Sequence, residues 1–459
     1  MQEILDAIVA AGGRPNIVGG FVRDEIAGME SKDIDVEVFG LPQETLLNVI
    51  SKFGQIIENH VGESQFCVFK LKTEDDDYDF SLPRKDVKVD DSHTGFECEF
   101  DENMSVAEAS LRRDFTINAI SKDYEGNYID PYNGVQDLKD GRLVATSHKF
   151  EEDALRPLRG FQFAGRFNLT VDSDTAVRCE RMLPRASNLS TERIYEEIVK
   201  WATKSVKPSM GLNFLVDTGW IKLFPELDAI YGLEQEPEYH PEGCCGTHTG
   251  LVCDAAVEIA VRDELNKEDR LVLVLAALCH DLGKATTTIV EDGKIKSPGH
   301  AHEGAEPTRT LLARMGFSGN GNLRKIVDQV VALVECHMDH IGVEPNKRFV
   351  RRLACRTHPA SLQQLVRLME ADHSGRHPLP KHCPDSAVKI LEISKELDIQ
   401  SDKPKPIVMG RHLIDDLGMK PGPMFKVVLD ECYQNQLDGV FDDLESGLKL
   451  AQKVETSAV

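Results

Sequence analysis

The sequence lacks a long hydrophobic run. No stretch approaches the roughly 18 consecutive apolar residues that a membrane-spanning helix requires, although 41% of the 459 residues are hydrophobic. The first residues, MQEILDAIVAAGG, carry acidic side chains and no basic segment, so we expect no signal peptide. Both absences exclude a membrane protein and favour a globular chain in the cytoplasm.

The sequence also lacks a regular cysteine pattern and internal repeats. Its 11 cysteines are odd in number and unevenly spaced, which argues against a disulfide scaffold and indicates a reducing compartment. No repeat of 20–50 residues and no low-complexity tract is present, so a solenoid is not expected.

Basic residues are outnumbered: the chain has 53 Lys and Arg against 77 Asp and Glu, which gives a formal net charge of −24. Such a balance argues mildly against a general nucleic-acid binder. One segment departs from this balance: residues 154–193 contain seven arginines and no lysine, but only four acidic residues. The planar guanidinium suits bidentate contacts with phosphates or bases, but salt bridges on helix surfaces would explain the segment equally well. The arginines are Arg156, Arg159, Arg166, Arg178, Arg181, Arg185 and Arg193.

The order of strand and helix patterns predicts an α+β protein. Alternating and helical patterns are mixed up to about residue 145, with a mobile loop expected from Lys85 to Gly95, and amphipathic helices dominate afterwards. Clusters of Pro and Gly near residues 240, 375 and 405 indicate boundaries. We therefore predict an α/β head (1–145), a helical neck and body (146–240), a third domain (241–375) and a helical tail (376–459).

The segment GGFVRDEIAGMESKDIDVEVFG carries the first sign of chemistry. Gly19 and Gly20 let backbone N–H groups approach a phosphate chain, at the start of a predicted helix. Asp33 and Asp35 lie two apart in a predicted strand and share one face, where like charges repel unless a cation neutralises them. Carboxylates and phosphates suit Mg²⁺, and a pair of such ions clamps the attacking 3′-oxygen and the leaving pyrophosphate.

A third carboxylate from a neighbouring strand would complete such a site. Asp79, in the strand pattern YDFSLPR, is the candidate. A solvated edge face is the alternative explanation for an isolated pair of aspartates, and the accompanying glycines and Arg23 favour the metal site. Glu37, on the same face, has no role that we can assign.

Three blocks resemble the class II tRNA nucleotidyltransferases, the bacterial CCA-adding enzymes. They are IVGGFVRDEIAG with KDIDVEVFG, SLRRDFTINAI, and EEDALRPLRGFQFAGRF. The resemblance implies a polymerase-β-like nucleotidyltransferase head with Mg²⁺ at Asp33 and Asp35, substrates CTP and ATP, and the 3′ end and acceptor arm of tRNA as partner. It also implies a nucleotide-binding set, which comprises Gly19, Gly20, Arg23, Arg112, Arg113, Asp114, Asn118, Asp153, Arg156 and Arg159.

Within this set, Asp153 and Arg156 match the motif that reads the base without a template. On a helix, residues three apart share a face, so a carboxylate and a guanidinium there could bind the amino group and ring nitrogen of C or A. Pro157 is a departure, because proline disfavours helical geometry in the residue before it. A simple surface ion pair remains the alternative.

The same head serves poly(A) polymerases and enzymes that add only CC or only A. In the resembled family, a flexible loop between the metal site and the RRD block is linked to the switch from C to A. Here the segment from Leu82 to Phe96 has full length and carries Arg84, Lys85 and Lys88. This favours addition of both C and A, although a loop that only binds RNA would have the same composition.

A second constellation follows in the helical part, around LAALCHDLGKATT. His280 and Asp281 offer an imidazole and a carboxylate, which suit borderline metals. Together with His248 and Asp372 they form an H…HD…D set that resembles the HD phosphohydrolase superfamily, and Lys284 could neutralise phosphate.

The resemblance implies a transition metal such as Ni²⁺ or Mn²⁺, which lowers the pKa of a water that attacks a phosphate ester. The targets would be 2′,3′-cyclic phosphates, 2′-nucleotides or phosphate at damaged tRNA ends. His302 and His337 match positions that hold a second metal or phosphate in relatives, whereas His300, His340 and His373 are expected bystanders. Several of these histidines could instead be ordinary surface or core residues.

The residues after 405 resemble the tail of many bacterial members and offer no catalytic group. Two other functions remain open: a poly(A) or A-adding polymerase, and an HD phosphohydrolase whose head only binds RNA.

Overall fold

The computed structural model describes residues 1–30, 33–59, 68–73, 77–88 and 96–457. The chain forms two compact units, Met1–Leu223 and Phe224–Val459. None of the helices in the described part combines the length and apolar character that a membrane span needs. The mixed α and β character predicted from the sequence is confirmed, while the four-part division stays a prediction.

Strands are concentrated in the first unit. Within the described residues, seven of them form one sheet in the order β3-β4-β5-β2-β1-β8-β9. The strands of this unit are β1 (Arg14–Val18), β2 (Ile34–Phe39), β3 (Gln55–Asn59), β4 (Val68–Lys72), β5 (Asp77–Ser81), β6 (Arg84–Lys88), β7 (Phe96–Phe100), β8 (Ser121–Lys122), β9 (Tyr128–Ile129), β10 (Arg142–Leu143) and β11 (Thr170–Val171).

The pairing of β2 with β5 sets the geometry of the head. These strands are parallel, whereas β2 pairs with β1 in the antiparallel sense. Val36 and Val38 alternate with the acidic positions of β2 and are fully buried in a cluster that also holds Phe69 and Phe80. Because side chains alternate between the faces of a strand, this burial turns the acidic residues of β2 towards the other face.

The segment predicted as a loop from Lys85 to Gly95 begins as a strand. β6 and β7 form an antiparallel two-stranded sheet, with Arg84 opposite Phe100. The prediction of a loop is therefore wrong for residues 85–88, and residues 89–95 lie outside the described part of the chain. The alternation of apolar and acidic residues in FECEF suits a strand, whereas RKDVK is charged at four of its five positions and carries no such pattern.

Nine α-helices complete the described part of the first unit. They are α1 (Gln2–Ala10), α2 (Gly20–Ile26), α3 (Gln43–Ile50), α4 (Val106–Ser110), α5 (Gly134–Lys139), α6 (Arg156–Phe167), α7 (Ser173–Met182), α8 (Thr191–Lys204) and α9 (Pro208–Asp217). Short 3₁₀ helices cover Thr116–Asn118, His148–Glu152, Leu183–Asn188 and Trp220–Leu223.

Helix α6 is the central packing element of these helices. Phe161 stacks on Trp201 of α8 with ring centroids 5.1 Å apart. A Cβ at Gly160 would lie 2.4 Å from the ring of Phe214 in α9, so glycine is what permits this close approach. Pro157 lies in the first turn of α6, where the missing N–H costs no helical hydrogen bond. The proline therefore does not disturb the helix.

The described part of the second unit is helical apart from one hairpin, β12 (Ile289–Glu291) with β13 (Lys294–Lys296). Its helices are α10 (Pro225–Asp228), α11 (Cys245–Arg262), α12 (Lys267–Cys279), α13 (Lys284–Thr287), α14 (His300–Glu303), α15 (Ala305–Arg314), α16 (Asn322–Cys336), α17 (Lys347–Thr357), α18 (Leu362–Ser374), α19 (Asp385–Glu396), α20 (Gly410–Asp415), α21 (Pro423–Asp438) and α22 (Leu444–Ser457).

Helix α12 is the core of this unit, since its residues from Leu271 to Cys279 are all buried. It packs against α11, α16 and α18. A helix that is apolar all round is typical of a buried position. The end of α12, at His280, therefore lies deep among three neighbouring helices.

Candidate functional sites

Three carboxylates meet at one point of the head sheet. Asp35 of β2 lies directly opposite Asp79 of β5 in the parallel register. Asp33 precedes Asp35 by two residues, and alternate residues share a face. Burial raises the pKa of Asp35, and the charges of Asp79 and Asp33 add to the shift against the opposing effect of Arg113. Ionised carboxylates at this spacing require a cation.

Asp79 shows that this site fits a metal. Burial raises the pKa of its carboxyl, and the nearby charge of Asp33 adds to the increase. Its Oδ1 atom is buried and makes no hydrogen bond among the described residues. A buried acceptor without a donor is costly, and a divalent cation that prefers carboxylate oxygens would satisfy it. Asp33, Asp35 and Asp79 are the residues that could hold this ion.

The glycine turn lies beside these carboxylates. Gly19 has a φ of 71°, which favours glycine. A Cβ at this position would come within 3.4 Å of both Asp35 Oδ2 and Arg113 Nη1. The turn thus brings its backbone next to the metal ligands and to a buried guanidinium, as a phosphate-binding turn requires.

Arg23, predicted to bind triphosphate, is part of a buried network. Its Nε and Nη2 atoms donate to Asp24 Oδ1 at 2.9 and 2.7 Å, and Nη1 donates to Asn118 Oδ1 at 2.5 Å. Arg166 Nη2 donates to the other oxygen of Asp24 at 2.7 Å. The carboxylate of Asp24 therefore balances the positive charges of Arg23 and Arg166, which line the site.

We expect Asp24→Ala to lower the free energy of unfolding of the first unit by about 3–5 kcal/mol, because it leaves two desolvated guanidinium groups without their carboxylate. Both tryptophans of the chain, Trp201 and Trp220, belong to this unit, so urea unfolding followed by tryptophan fluorescence measures it. Asp140→Ala, at an exposed position, is the matched control. Equal stability of the two variants would contradict the importance of this network.

Two residues of the RRD block, Arg112 and Asp114, form ion pairs at the same site. Arg112 Nη2 donates to Glu37 Oε1 at 2.7 Å, and Arg159 Nε donates to Asp114 Oδ2 at 2.6 Å. Burial alone would raise the pKa of Asp114, but Arg159 and the hydrogen bond from Asn118 hold it well below its usual range. Asp114 therefore stays ionised and orients Arg159.

Asp153 and Arg156 do not share a helix face as the sequence predicted. Helix α6 begins at Arg156, and Asp153 precedes it in an extended conformation. The carboxylate of Asp153 accepts from Arg193 Nη2 at 2.9 and 3.1 Å. The guanidinium of Arg156 donates to the carbonyls of Lys149 and Arg112, each at 2.7 Å. The helical prediction is wrong here because Pro157 starts the helix later.

Both side chains nonetheless face a common cavity of about 450 Å³. Cationic groups dominate its walls, which also include Gly19, Gly20, Asp35, Asp114 and Asn118. Such a surface suits a triphosphate. The cationic residues that line it are Arg23, Arg112, Arg113, Arg156, Arg159, Arg166, Arg193, Lys200 and Lys204.

Both explanations of the arginine-rich segment therefore apply in part. Arg156, Arg159, Arg166 and Arg193 line this cavity. By contrast, Arg178 binds Glu151 Oε1 at 3.2 Å and is one-third exposed. Only some members of the segment face the site.

The second unit brings the H…HD…D set together. His248 Nε2 lies 3.0 Å from Asp372 Oδ1 and 3.9 Å from Asp281 Oδ2, and His280 Nε2 lies 3.3 Å from Asp281 Oδ2. His248 comes from α11, His280 and Asp281 follow α12, and Asp372 lies in α18. Four residues from three helices thus point at one buried spot.

A second group of possible ligands shares Asp281. Its Oδ1 atom lies 3.3 Å from His300 Nε2, and His300 Nε2 lies 3.3 Å from His337 Nε2. The side chain of His302, in contrast, is 82% exposed and pairs with Glu335 at 3.6 Å. The structure therefore corrects two predictions: His300 belongs to the group, and His302 lies outside it.

The tautomers of the histidines fit metal binding. The Nδ1 atoms of His280, His300 and His337 lie 2.7–2.9 Å from the carbonyls of Ala277, Ser297 and Val334. A carbonyl only accepts, so each Nδ1 carries the proton and each Nε2 is left as a ligand. His280 Nε2 is buried and has no hydrogen-bond partner among the described residues, which is the state that a metal would satisfy.

The charges of this cluster are divided. At His248 the effect of burial is outweighed by Asp372 and Glu242, which raise its pKa to about 9, so metal binding there would release a proton. The other groups are in the forms that bind a metal. Burial lowers the pKa of His337 to about 3, and the neighbouring His280 adds to the shift, so the ring is neutral. Burial would also raise the pKa of Asp281, but His280 and Lys284 hold it well below its usual range. Neutral imidazoles and ionised carboxylates are the forms that bind divalent metals.

A cavity of about 430 Å³ opens beside the cluster. Lys284 Nζ lies 2.6 Å from Asp281 Oδ2 and donates to Gln235 Oε1 at 2.7 Å. His340 and His373, expected bystanders, line this cavity together with Arg376. Cations beside a metal-ligand group suit a phosphate ester.

Sequence reasoning missed four residues of these sites. Glu37 and Arg193 pair with predicted residues, and His300 and Glu242 contact the HD cluster. For Glu242 a local signal existed in the run His240-Pro-Glu242 before the predicted ligand His248. The partners of Glu37 and Arg193 lie 75 and 40 residues away, beyond any local pattern.

Comparison with known proteins matches the two sites to two different domain families. The family model described as the Poly A polymerase head domain matches residues 16–144. The model of the HD domain matches residues 246–394. The two models therefore cover the two sites separately.

Curated relatives match over most of the chain. The chain is 36% identical over 305 residues to the multifunctional CCA protein of Mannheimia succiniciproducens, which covers 65% of this chain and 69% of that protein. It is 32% identical over 391 residues to the multifunctional CCA protein of Laribacter hongkongensis, which covers 83% of this chain and 89% of that protein.

Solved structures share the fold. A crystal structure of the Bacillus stearothermophilus CCA-adding enzyme with CTP is 20% identical and has a TM-score of 0.65, with 100% of this chain and 97% of that chain covered. The Thermotoga maritima CCA-adding enzyme complexed with tRNA is 18% identical and has a TM-score of 0.58, with 100% and 94% covered.

Proposed function

Since the chain belongs to the family of multifunctional CCA proteins, tRNA nucleotidyltransferases that carry an HD domain, we propose that its head completes the 3′ end of tRNA by adding C, C and A without a template. The observation that carries this proposal is the meeting of three carboxylates, Asp33, Asp35 and Asp79, at the edge of an arginine-lined cavity. A nucleoside triphosphate fits such a site, with its phosphates beside the carboxylates.

In the proposed reaction the 3′-hydroxyl of tRNA attacks the α-phosphate of CTP or ATP, and pyrophosphate leaves. Asp33, Asp35 and Asp79 would hold two Mg²⁺ ions, which stabilise negative charge on the attacking and leaving oxygens. The chain's own cations, with Arg113 next to the Gly19 turn, bind the triphosphate and orient it for attack.

Base selection is assigned to Asp153 and Arg156. Cytosine and adenine both present an exocyclic amino donor next to a ring-nitrogen acceptor, whereas uracil and guanine reverse this order. A carboxylate paired with a guanidinium therefore accepts C and A and rejects U and G. Arg193, which holds Asp153 from α8, fixes the carboxylate in place.

In the HD domain we propose a metal-dependent phosphohydrolase that acts on 2′,3′-cyclic phosphates, 2′-nucleotides or terminal phosphates. His248, His280, Asp281 and Asp372 would hold a transition metal such as Ni²⁺ or Mn²⁺, which suits imidazole ligands. Such an ion lowers the pKa of water and polarises the phosphate ester. Lys284 and Arg376 are assigned to phosphate binding.

The two activities form a coherent pair. A tRNA whose last nucleotide carries a 2′,3′-cyclic phosphate or a phosphate on its 3′-oxygen lacks the hydroxyl that the head needs as nucleophile. Hydrolysis by the HD domain would restore it when water adds to phosphorus and the P–O3′ bond breaks. The cyclic ester then keeps a 2′-phosphate, and a 3′-phosphate leaves as inorganic phosphate. We place this work in the cytoplasm, where tRNA, CTP and ATP are found in bacteria.

The test of the head function uses tRNA that ends before CCA, with Mg²⁺ and labelled nucleotides. We expect two additions with CTP alone, none with ATP alone and three with both, because A follows only after C and C. Extension with ATP alone would instead support a poly(A) or A-adding polymerase. No extension with any nucleotide by a folded chain would leave the head as an RNA-binding part.

A further inference from the structure

Glu242 lies just before α11, and its side chain is 1% exposed. One of its oxygens, Oε1, lies 2.7 Å from His248 Nδ1 and 2.9 Å from His240 Nδ1. Its other oxygen, Oε2, is buried and makes no hydrogen bond among the described residues. A single carboxylate thus holds two imidazoles, and both contacts have the length of hydrogen bonds.

For His248 this contact decides which nitrogen faces the cluster. Oε1 of Glu242 lies 2.7 Å from Nδ1 of the ring, so Nε2 is the nitrogen that faces Asp372 and Asp281. His280, His300 and His337 are fixed in the same way by backbone carbonyls. Among the described residues of the cluster, His248 differs in that a removable side chain does this work.

For His240 the same carboxylate orients a residue of the cavity. Its ring meets the ring of His248 edge-on, with centroids 4.7 Å apart, and it lines the cavity beside the cluster. Since Nδ1 of His240 donates to Glu242, Nε2 is the nitrogen of this ring that remains for a contact in the cavity. Glu242 therefore connects a proposed metal ligand with the wall that a substrate would touch.

These three residues could in principle hold a metal of their own. Oε1 of Glu242 is in direct contact with both rings, 2.9 Å from His240 Nδ1 and 2.7 Å from His248 Nδ1. Contacts of this length need no ion between the atoms. We therefore treat Glu242 as a neighbour of the ligand His248 and not as a ligand.

We propose that Glu242 is a positioning residue of the HD centre, which fixes His248 as a metal ligand and His240 at the cavity wall. This inference rests on the proposed metal centre. Carboxylates that accept the second N–H of a ligating histidine raise its basicity and lock its orientation, and their loss costs about 10–100-fold in metal affinity.

The test is a calorimetric titration of the full-length chain with Ni²⁺ in millimolar Mg²⁺. Mg²⁺ occupies the carboxylate site of the head, while Ni²⁺ prefers imidazole. We expect Glu242→Ala to bind Ni²⁺ about 10–100-fold more weakly than wild type, and Glu242→Gln, which keeps the acceptor oxygen but not the charge, to fall between them. Glu258→Gln, an exposed change on α11, should bind like wild type.

Circular dichroism shows whether the helical second unit of each variant is folded, and CCA addition shows that the head is intact. A folded Glu242→Ala with wild-type Ni²⁺ affinity would overturn the proposal. If the alanine variant does not fold, the near-isosteric Glu242→Gln decides, since unchanged affinity in that variant also overturns it. Failure of the proposed hydrolase looks different: wild type would bind Ni²⁺ and yet neither open 2′,3′-cyclic AMP to AMP nor release phosphate from 2′-AMP.

Discussion

Replacing Asp35 by asparagine is expected to lower the rate of CCA addition by roughly 10³-fold or more, because the ions held by Asp33, Asp35 and Asp79 supply several kcal/mol of transition-state stabilisation. The measurement is single-turnover addition of C to tRNA lacking CCA, at saturating CTP and Mg²⁺. Asp6→Asn, on an exposed face of α1, is the matched control and should react like wild type.

A stability measurement shows whether Asp35→Asn loses activity because it unfolds. Burial raises the pKa of Asp35, and Asp79 and Asp33 add to the increase. A group whose pKa is raised in the folded state destabilises the fold while it is ionised, at pH values above its unfolded pKa. We therefore expect Asp35→Asn at pH 7.5 without Mg²⁺ to be at least as stable as wild type by tryptophan fluorescence. Lost stability together with lost activity would contradict the assignment of Asp35.

The head site illustrates what a sequence can show. The spacing of Asp33 and Asp35 implies a shared face whatever the rest of the fold, because a strand has a period of two. The partner strand is a matter of sheet register, and β5 brings Asp79 opposite Asp35. Glu37 had no predicted role, since its partner Arg112 is 75 residues away and only the fold brings them together.

The HD cluster shows where such reasoning stops. The run His300-Ala-His302-Glu contains two possible ligands. On a helix, each residue is rotated by about 100° from the one before it. Residues two apart therefore point to nearly opposite sides, and only one of them can face the cluster. Which one does depends on how α14 is seated against α16, and the sequence pattern does not reveal this. The structure selects His300, which contacts His337 at the end of α16.

Asp281 is the residue whose loss should damage the HD activity most. Its Oδ2 atom faces His280 and His248, while its Oδ1 atom faces His300. It therefore belongs to both groups of possible ligands, and removing its charge weakens any metal bound in either. We expect Asp281→Asn to reduce the hydrolysis of 2′,3′-cyclic AMP to AMP by roughly 10³-fold or more, with CCA addition by the head unchanged.

A matched pair of variants makes this prediction specific. His300→Ala should strongly lower the hydrolysis of 2′,3′-cyclic AMP, whereas His302→Ala, two residues away and largely exposed, should leave it unchanged. Equal effects of these two changes would contradict the position of His300 in the cluster. Asp281→Asn also leaves the buried Lys284 without its carboxylate at 2.6 Å, and breaking such a pair is destabilising. The double variant Asp281→Asn/Lys284→Met removes the unpaired charge. Because Lys284 is itself proposed to bind phosphate, Lys284→Met alone is the reference for this test. Ni²⁺ binding, measured by calorimetry, should be weakened in the folded double variant and retained in Lys284→Met.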